Sequence, residues 1–357
     1  MKHGRKKKKP VFYLQTAAFI LLLLILIYGI LTVIRLKKKE NNITVSVRTS
    51  TAVTEQTTTS YTTTTEPVEE LFTEQTEDSV YPDRTDKSQR LSKDYKAEHA
   101  LLMNADTQEV ITYRNANARM YPASLTKIMT LIVAVENIED LSDTVTITDD
   151  MVFPMIELEA ARAGFMPDET PTLEDVLYGM ILTSGADAAL AAAEYVAGSE
   201  EAFVRLMNEK AEEFGLEGTH FTNVVGLHDK EHYSTATDMA LILKYAIQNE
   251  TCRKIISAYE YKVPPTEQNT EGLTFTSNFL SRMYGDEMPG VTIKGGKTGF
   301  TDEAGNCIES FAEINGETYI LVMCGCTDRW NAIYDTLSVY SVYGAGGEKY
   351  TSSLNVR

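Results

Sequence analysis

Cysteine is scarce in this sequence of 357 residues, which contains four cysteines and a single tryptophan. So few cysteines in so long a chain exclude a disulfide-rich scaffold. The sequence also lacks a Cys-x-x-Cys pair and a His-Glu-x-x-His motif. Because these spacings are typical of zinc sites, no motif indicates a metal.

Positive charge is scarce beyond the N-terminus. Lys and Arg number 33 against 51 Asp and Glu, which gives a net charge of −18. Ten of the basic residues lie within the first 40 positions, so the rest of the chain is strongly acidic. Nucleic-acid binding needs clustered Lys and Arg that contact phosphates, and this composition therefore argues against a nucleic-acid partner.

The longest apolar run extends from Val11 to Ile34. At about 1.5 Å per residue it can cross a hydrocarbon core of roughly 30 Å. A basic tail at residues 1–10 precedes it, and Arg35 with three lysines follows closely. A cleaved signal peptide is the alternative, but it would have a shorter apolar region and a small-x-small cleavage site. The pattern favours an uncleaved transmembrane signal anchor.

Residues 35–95 show no apolar periodicity. Between Thr44 and Pro67, 14 of 24 residues are Ser or Thr, and acidic residues increase up to Asp94. Such a segment cannot bury a core, so it predicts a disordered, solvated stalk. The stalk would hold a folded domain at a distance from the bilayer.

Residues 96–346 combine strand and helix patterns, and residues 347–357 form a polar tail. The order is strands, several helices, strands, then a closing helix. This order predicts an α+β domain with an antiparallel sheet of about five strands, flanking helices and an all-helical subregion. Strands are expected at 97–104, 109–114, 292–299, 306–314 and 317–326. Helices are expected at 124–137, 172–182, 185–197, 199–214, 235–247 and 328–343.

The dipeptide Asn315-Gly316 predicts a two-residue hairpin turn. In that register Cys307 lies directly opposite Cys324, as a non-hydrogen-bonded pair with Cα atoms about 4.5 Å apart. This separation is near the short limit for a disulfide. The two alternatives, a disulfide or two reduced and buried thiols, remain open from the sequence.

Three short motifs could carry chemistry. Ser124 and Lys127 form a Ser-x-x-Lys at a helix start, a spacing that places both side chains on one face one turn apart. A lysine amine can activate a serine if burial or a second cation lowers its pKa. Ser184-Gly-Ala-Asp lies at a junction of two helices, and Lys297-Thr-Gly lies on a strand after two glycines. Each motif is weak alone.

In this order the three motifs resemble those of the active-site serine penicillin-recognising enzymes. Longer stretches are similar to the serine D-Ala-D-Ala carboxypeptidases, the low-molecular-mass penicillin-binding proteins. The resemblance covers roughly residues 95–346 and implies a β-lactamase/transpeptidase-like fold. The stretches that carry it are residues 121–130, 184–188, 220–228, 233–240 and 296–305.

The resemblance implies a role for each motif residue. Ser124 would attack the penultimate D-Ala carbonyl of a peptidoglycan stem peptide, and Lys127 would accept its proton. Ser184 and Lys297 would assist proton transfer to the leaving D-alanine. No metal or cofactor is implied, and β-lactam antibiotics would acylate the same serine. The residues implied in substrate binding are Thr298, Gly299, Phe300 and Arg329.

One position departs from the family pattern, because Ala186 stands where the second motif usually has Asn. The missing amide affects rate and substrate preference more than reaction class. Two alternatives therefore stay open, a serine β-lactamase and a weakly catalytic sensor of wall peptides or β-lactams. The β-lactamase would need a deacylating Glu before the second motif, and Glu157, Glu159 and Glu169 lie in that region.

The implied substrate also sets the expected location. Peptidoglycan is extracytoplasmic, so the N-terminus should be cytoplasmic and the catalytic domain outside a bacterial cell membrane, held by a single span. No feature of the sequence indicates an obligate oligomer, and a monomer is expected.

Overall fold

The computed structural model describes residues 81–283 and 288–350. The predicted basic tail, the predicted membrane anchor and most of the predicted stalk lie outside the described residues, as does the end of the polar tail. Among the residues that are described, no helix has both the length and the apolar composition needed to span a membrane.

A mixed sheet forms the centre of the domain. The strands are β1 (Asp83–Arg90), β2 (His99–Asn104), β3 (Glu109–Arg114), β4 (Glu260–Val263), β5 (Leu273–Thr276), β6 (Val291–Thr301), β7 (Gly305–Ile314) and β8 (Glu317–Cys326). The order of strands in the sheet is β1-β3-β2-β8-β7-β6, and every neighbouring pair is antiparallel except β1 with β3. Strands β4 and β5 form a separate two-stranded ribbon.

Helices cover both faces of the sheet. The α-helices are α1 (Lys127–Asn137), α2 (Asp149–Glu157), α3 (Leu173–Leu182), α4 (Ala186–Ala197), α5 (Glu200–Glu213), α6 (Ala236–Gln248), α7 (Glu250–Ile256) and α8 (Arg329–Val339). Short 3₁₀ turns occupy Ala123–Thr126 and Leu280–Met283, and a π turn at Tyr340–Gly344 follows α8. The predicted α+β class and its helical subregion are confirmed.

Alternation along the strands separates two cores. Phe311 and Val322 point to one face and pack with the buried residues of α1 to α7. Ala312 and Leu321 point to the other face and pack with α8. Successive side chains of a strand point to opposite faces of the sheet, and both faces are buried here, so each strand contributes to both cores.

The folded domain begins earlier than the predicted boundary at residue 96. β1 pairs with β3, and Leu91 and Tyr95 are buried in the core beside α8. The guanidinium of Arg114 donates hydrogen bonds to four carbonyl oxygens between residues 91 and 97. The stalk prediction was therefore wrong for residues 83–95, and the sheet has six strands rather than about five. As an edge strand, β1 is polar throughout and has no apolar pattern to reveal it.

The predicted hairpin forms, with one change of register. Asn315 and Gly316 both have positive φ, as a type I′ turn requires. Ile314 pairs with Glu317, and the predicted register then holds up to Ile308, which faces Met323. Beyond it, Asn306 faces Cys326, so β8 contains one extra residue.

The predicted pairing of Cys307 directly opposite Cys324 is therefore wrong. A bulge at Cys324 and Gly325 opposes Cys307, and Gly325 has the positive φ that such bulges favour. All four cysteines are buried and form no disulfide. This agrees with the alternative of two reduced thiols at Cys307 and Cys324.

The capping box at Thr172 and Asp175 forms as predicted and begins α3. The Thr172 hydroxyl accepts a hydrogen bond from the Asp175 amide, and the Asp175 carboxylate accepts one from the Thr172 amide at 3.0 Å. We expect Thr172→Ala to lower the free energy of unfolding by about 1 kcal/mol, because it leaves a helix-end donor unsatisfied. Urea denaturation measures this change.

Thr148→Ala is the matched control. Thr148 precedes α2, and its side chain makes no capping hydrogen bond. Equal losses in the two variants would contradict the role assigned to the capping box.

Candidate active site

Ser124 lies in the 3₁₀ turn that leads into α1, and Lys127 is the first residue of that helix. The Lys127 ammonium donates a hydrogen bond to the Ser124 hydroxyl at 3.1 Å and another to the Val225 carbonyl at 2.6 Å. Lys127 is only 2% exposed, whereas Ser124 is half-buried and lines an open cleft. The two side chains of the Ser-x-x-Lys motif thus lie in contact at the cleft.

A loop from residues 223 to 227 holds the Ser124 turn in place. Ala123 has a positive φ. A Cβ atom at Gly226 would lie 1.9 Å from the Ala123 carbonyl oxygen, so only glycine fits there. The Asn223 side-chain oxygen accepts hydrogen bonds from the amides of residues 225, 226 and 227. The same loop provides the Val225 carbonyl that Lys127 contacts.

Burial lowers the pKa of Lys127 well below its ordinary range, and the nearby charge of Lys297 lowers it further. Asp187 acts in the opposite direction but does not compensate. A desolvated lysine of this kind gives up its proton more readily than a surface lysine, which is the property a proton acceptor for serine needs.

The second and third motifs are in contact, because Lys297 on β6 reaches Ser184 in the short connection between α3 and α4. The Lys297 ammonium on β6 donates to the Ser184 hydroxyl at 2.9 Å and to the Thr298 carbonyl at 2.8 Å. Burial lowers the pKa of Lys297 to about 7, with a raising effect from Glu309 and a lowering effect from Arg282. Ser184 has a positive φ, a strained backbone of the kind found at functional sites.

The residues after Ser184 are structural. The Asp187 carboxylate accepts hydrogen bonds from the amides of Ala163, Gly164 and Ala188, which ties α4 to the preceding loop. Ala186 lines the cleft and offers only its methyl group there. Asp187 therefore does not replace the amide that Ala186 lacks.

A cleft of about 800 Å³ connects these groups. Seven of the eight predicted site residues line it, and Lys297 lies behind Ser184 in contact with it. Phe300 and Arg329 are exposed at the cleft, and Thr298 and Gly299 are half-buried. The seven are Ser124, Lys127, Ser184, Thr298, Gly299, Phe300 and Arg329.

Gly299 brings β6 close to the serine turn. A Cβ atom at this position would lie 2.9 Å from the Ser124 amide nitrogen. The absence of a side chain keeps the space beside that N–H open, as an oxyanion pocket requires.

Arg282 was missed by the sequence analysis. It is half-buried, lines the cleft, and interacts electrostatically with both Lys297 and Arg329. A lone arginine in a short 3₁₀ turn carries no motif, so no signal in the sequence could have singled it out. Together with Arg329 it makes one side of the cleft cationic.

His232 and Asn223 were also missed as supports of the serine. His232 is buried, with its Nε2 atom 2.7 Å from the Thr126 hydroxyl, and burial lowers its pKa to about 4. A neutral imidazole therefore braces the turn that presents Ser124. Asn223 lies in the stretch 220–228 that carries part of the family resemblance, whereas His232 lies outside it and had no such signal.

The three candidate deacylating glutamates are separated by the fold. Glu159 lines the cleft, whereas Glu157 does not. Glu169 is buried and accepts hydrogen bonds from the Met166 amide, the Thr266 hydroxyl and the Asn269 side chain, so its role is structural. In the part of the chain that is described, no group of three or more His, Cys, Asp or Glu could hold a metal.

This pairing of two serines with two buried lysines defines the class of active-site serine enzymes built on a Ser-x-x-Lys helix. The family model of D-alanyl-D-alanine carboxypeptidases matches residues 84–327, and the chain belongs to that family.

Named relatives agree with this assignment. The chain is 35% identical to the D-alanyl-D-alanine carboxypeptidase DacF of Bacillus subtilis over 237 residues, or 65% of this chain. It is 33% identical to DacC of Escherichia coli over 245 residues, or 64% of this chain. It spans only 58% and 56% of the lengths of these two curated relatives.

Solved structures share the fold. The Streptomyces K15 DD-transpeptidase is 27% identical, with a TM-score of 0.63 over 68% of this chain and 95% of that protein. The carboxypeptidase DacD of Francisella tularensis is 26% identical, with a TM-score of 0.60 over 69% of this chain and 70% of that protein. The β-lactamase/transpeptidase-like architecture is thus confirmed.

The depressed pKa of Lys297, about 7 in the fold against an ordinary 10.5, has a consequence for stability. Between these two values the unfolded chain binds a proton that the folded chain does not, so stability falls as pH decreases through this window. Below the lower value the penalty is complete. We expect Lys297→Met to raise the melting temperature at about pH 6 by about 2 °C or more, with a smaller gain near about pH 10.

Lys294→Met serves as the control, because Lys294 lies on the same strand and forms a salt bridge with Glu313 at 2.9 Å. Thermal unfolding at the same two pH values compares the variants. A lower melting temperature for Lys297→Met at the acidic pH would show that the lysine stabilises the fold.

Proposed function

We propose that this protein is a serine D-Ala-D-Ala carboxypeptidase that removes the terminal D-alanine from peptidoglycan stem peptides through an acyl-enzyme. The observation that carries this proposal is the 3.1 Å contact between the Ser124 hydroxyl and the buried Lys127 ammonium at the floor of an open cleft. The names of the relatives support the substrate class.

In the acylation step, the Ser124 oxygen attacks the carbonyl carbon of the penultimate D-Ala, and the neutral form of Lys127 takes the hydroxyl proton. Negative charge then develops on the carbonyl oxygen. The amides of Ser124 and Phe300 are the proposed donors to that oxygen, and the close approach at Gly299 supports this placement.

Collapse of the tetrahedral intermediate requires a proton on the leaving nitrogen. Ser184 donates its hydroxyl proton and recovers one from the Lys297 ammonium, to which it is hydrogen-bonded. The departing D-alanine carries a carboxylate, which Thr298, Arg329 and Arg282 bind. Water then attacks the ester carbonyl and releases the shortened peptide, Lys127 returns its proton to the Ser124 oxygen, and the proton lost by water replaces, through Ser184, the one that Lys297 gave up.

The same steps apply to β-lactam antibiotics. Their strained amide acylates Ser124, but the leaving nitrogen stays attached to the acyl group and blocks the approach of water. A long-lived acyl-enzyme therefore follows.

A serine β-lactamase is the alternative of the same chemical class, and the position of Glu159 in the cleft favours it. Rapid turnover of a penicillin would support that alternative.

A sensor without turnover is the alternative of another class, and the methyl group of Ala186 favours it. Acylation by penicillin without any peptide hydrolysis would support the sensor.

We also propose that the chain is a monomer held in a bacterial cell membrane by residues 11–34, with its N-terminus in the cytoplasm and its catalytic domain outside. The length and composition of that run support the anchor, and the extracytoplasmic substrate supports the orientation. Protease added to intact spheroplasts should digest the stalk, and a fully protected chain would contradict this orientation.

Ser124→Ala should abolish release of D-alanine from a pentapeptide ending in D-Ala-D-Ala, with a loss of at least about 1,000-fold, because the nucleophile is removed. It should also abolish covalent labelling by a fluorescent penicillin. A coupled D-alanine assay and gel fluorescence measure the two effects. An unchanged melting temperature controls for folding, and persistent labelling would remove Ser124 from its role.

Arg282→Gln and Arg329→Gln should each lower kcat/KM about tenfold for a peptide with a free terminal carboxylate, because a charge-assisted contact is lost. A peptide with a C-terminal amide should be affected much less. Arg205→Gln, a change on α5 away from the cleft, is the control. Equal effects on the two peptides would contradict the proposed carboxylate contact.

A further inference from the structure

Glu309 is a buried carboxyl group that the proposed mechanism does not use. It lies on β7, its exposure is 0%, and neither of its carboxyl oxygens has a hydrogen-bond partner among the described residues. Buried polar groups in native proteins are almost always hydrogen-bonded, so an unpartnered carboxyl group at the centre of a sheet needs a specific reason.

Its position supplies one. Glu309 is directly opposite Lys297 in the β6–β7 ladder. Both side chains therefore rise from the same face of the sheet, with Cβ atoms about 5 Å apart. The Lys297 ammonium itself is directed to the Ser184 hydroxyl at 2.9 Å and to the Thr298 carbonyl. The carboxyl group is thus a neighbour of Lys297 without competing for its hydrogen bonds.

None of the other groups around this pair raises the pKa of Lys297. Arg282 lowers the pKa of Lys297, and burial lowers it more. On its own strand Glu309 has Cys307, and Cys324 lies on β8; neither is a cation. Lys127 of α1 and Asp187 of α4 interact with each other, and Lys127 also interacts with Lys297. Glu309 is the group that raises the pKa of Lys297.

We propose that Glu309 is a positioning residue, whose carboxylate keeps the Lys297 ammonium charged while that ammonium supports Ser184 and the substrate. As pH rises, Glu309 gives up its proton to form a buried ion pair with Lys297, and Lys297 then retains its own proton to higher pH. The proposal rests on the proposed function, in which Lys297 acts as a cation. It assigns a role to a residue outside the three motifs.

The activity test compares pH profiles of kcat/KM for D-alanine release. Loss of the Lys297 proton sets the alkaline limb in this mechanism. Glu309→Gln should move that limb to lower pH by about one unit, which is about a tenfold loss of rate on the alkaline side. Glu309→Asp, which keeps the carboxylate, should restore most of the shift. Glu313→Gln, which removes a half-buried carboxylate that pairs with Lys294 on the neighbouring strand, should leave the profile unchanged.

A second test does not depend on activity. In protein labelled with ¹³C at glutamate carboxyl groups, the Glu309 resonance is the one that Glu309→Gln or Glu309→Asp removes. In Lys297→Met its titration should move to higher pH, because a cation that favours the carboxylate is gone. This measurement uses the resting protein, so a failure of the proposed function leaves it interpretable.

The results separate the two proposals. An alkaline limb that is the same in Glu309→Gln and the wild type, or a Glu309 titration that Lys297→Met does not move, would overturn the role of Glu309. An inactive wild type with a coupled titration would instead overturn the proposed carboxypeptidase and leave the charge coupling standing. If Glu309→Gln does not fold, the titration of Glu309 in Lys297→Met still decides, with Glu309→Asp identifying the resonance.

Discussion

The desolvation of two lysine ammonium groups is the constraint around which the site is arranged. Lys127 and Lys297 are both almost completely buried, and the charge of Lys297 lowers the pKa of Lys127. Taking two like charges out of water into one region of the fold is unfavourable, and buried groups with strongly shifted pKa values are typical of functional sites. Each ammonium therefore donates to one serine hydroxyl and one backbone carbonyl.

The two lysines and their serines lie close together because the sheet packs against the helices where several elements begin or end. Ser124 comes from the start of α1, Ser184 from the junction of α3 and α4, and Lys297 from β6. The backbone around Ser124 packs so closely against its neighbours that no side chain fits at Gly226 or Gly299. Strain at Ala123 and Ser184 is maintained because packing on every side overdetermines their backbone conformation.

Much of this could be predicted from local sequence. The capping box at Thr172, the turn at Asn315-Gly316 and the three motifs depend on neighbours a few residues apart, and such interactions are encoded where they occur. Strand β1 could not be found, because its partner is distant in sequence and its residues are polar. The bulge at Gly325 was missed although a glycine inside a strand often marks one, because the turn at Asn315-Gly316 alone was used to set the register. Arg282 and Glu309 act only through groups that the fold brings close.

The charge distribution shows why composition alone cannot describe such a site. The chain is strongly acidic, yet Arg282 and Arg329 lie together at the cleft beside the two buried lysines. At physiological ionic strength, exposed charges are screened over about 8 Å, so a ligand in the cleft responds to these cations more than to the distant acidic surface. A terminal carboxylate would thus meet a local positive field in a protein of the opposite net charge. The proposed role of Glu309 follows the same logic from the buried side, because its carboxyl group lies opposite Lys297 on the neighbouring strand and does not line the cleft.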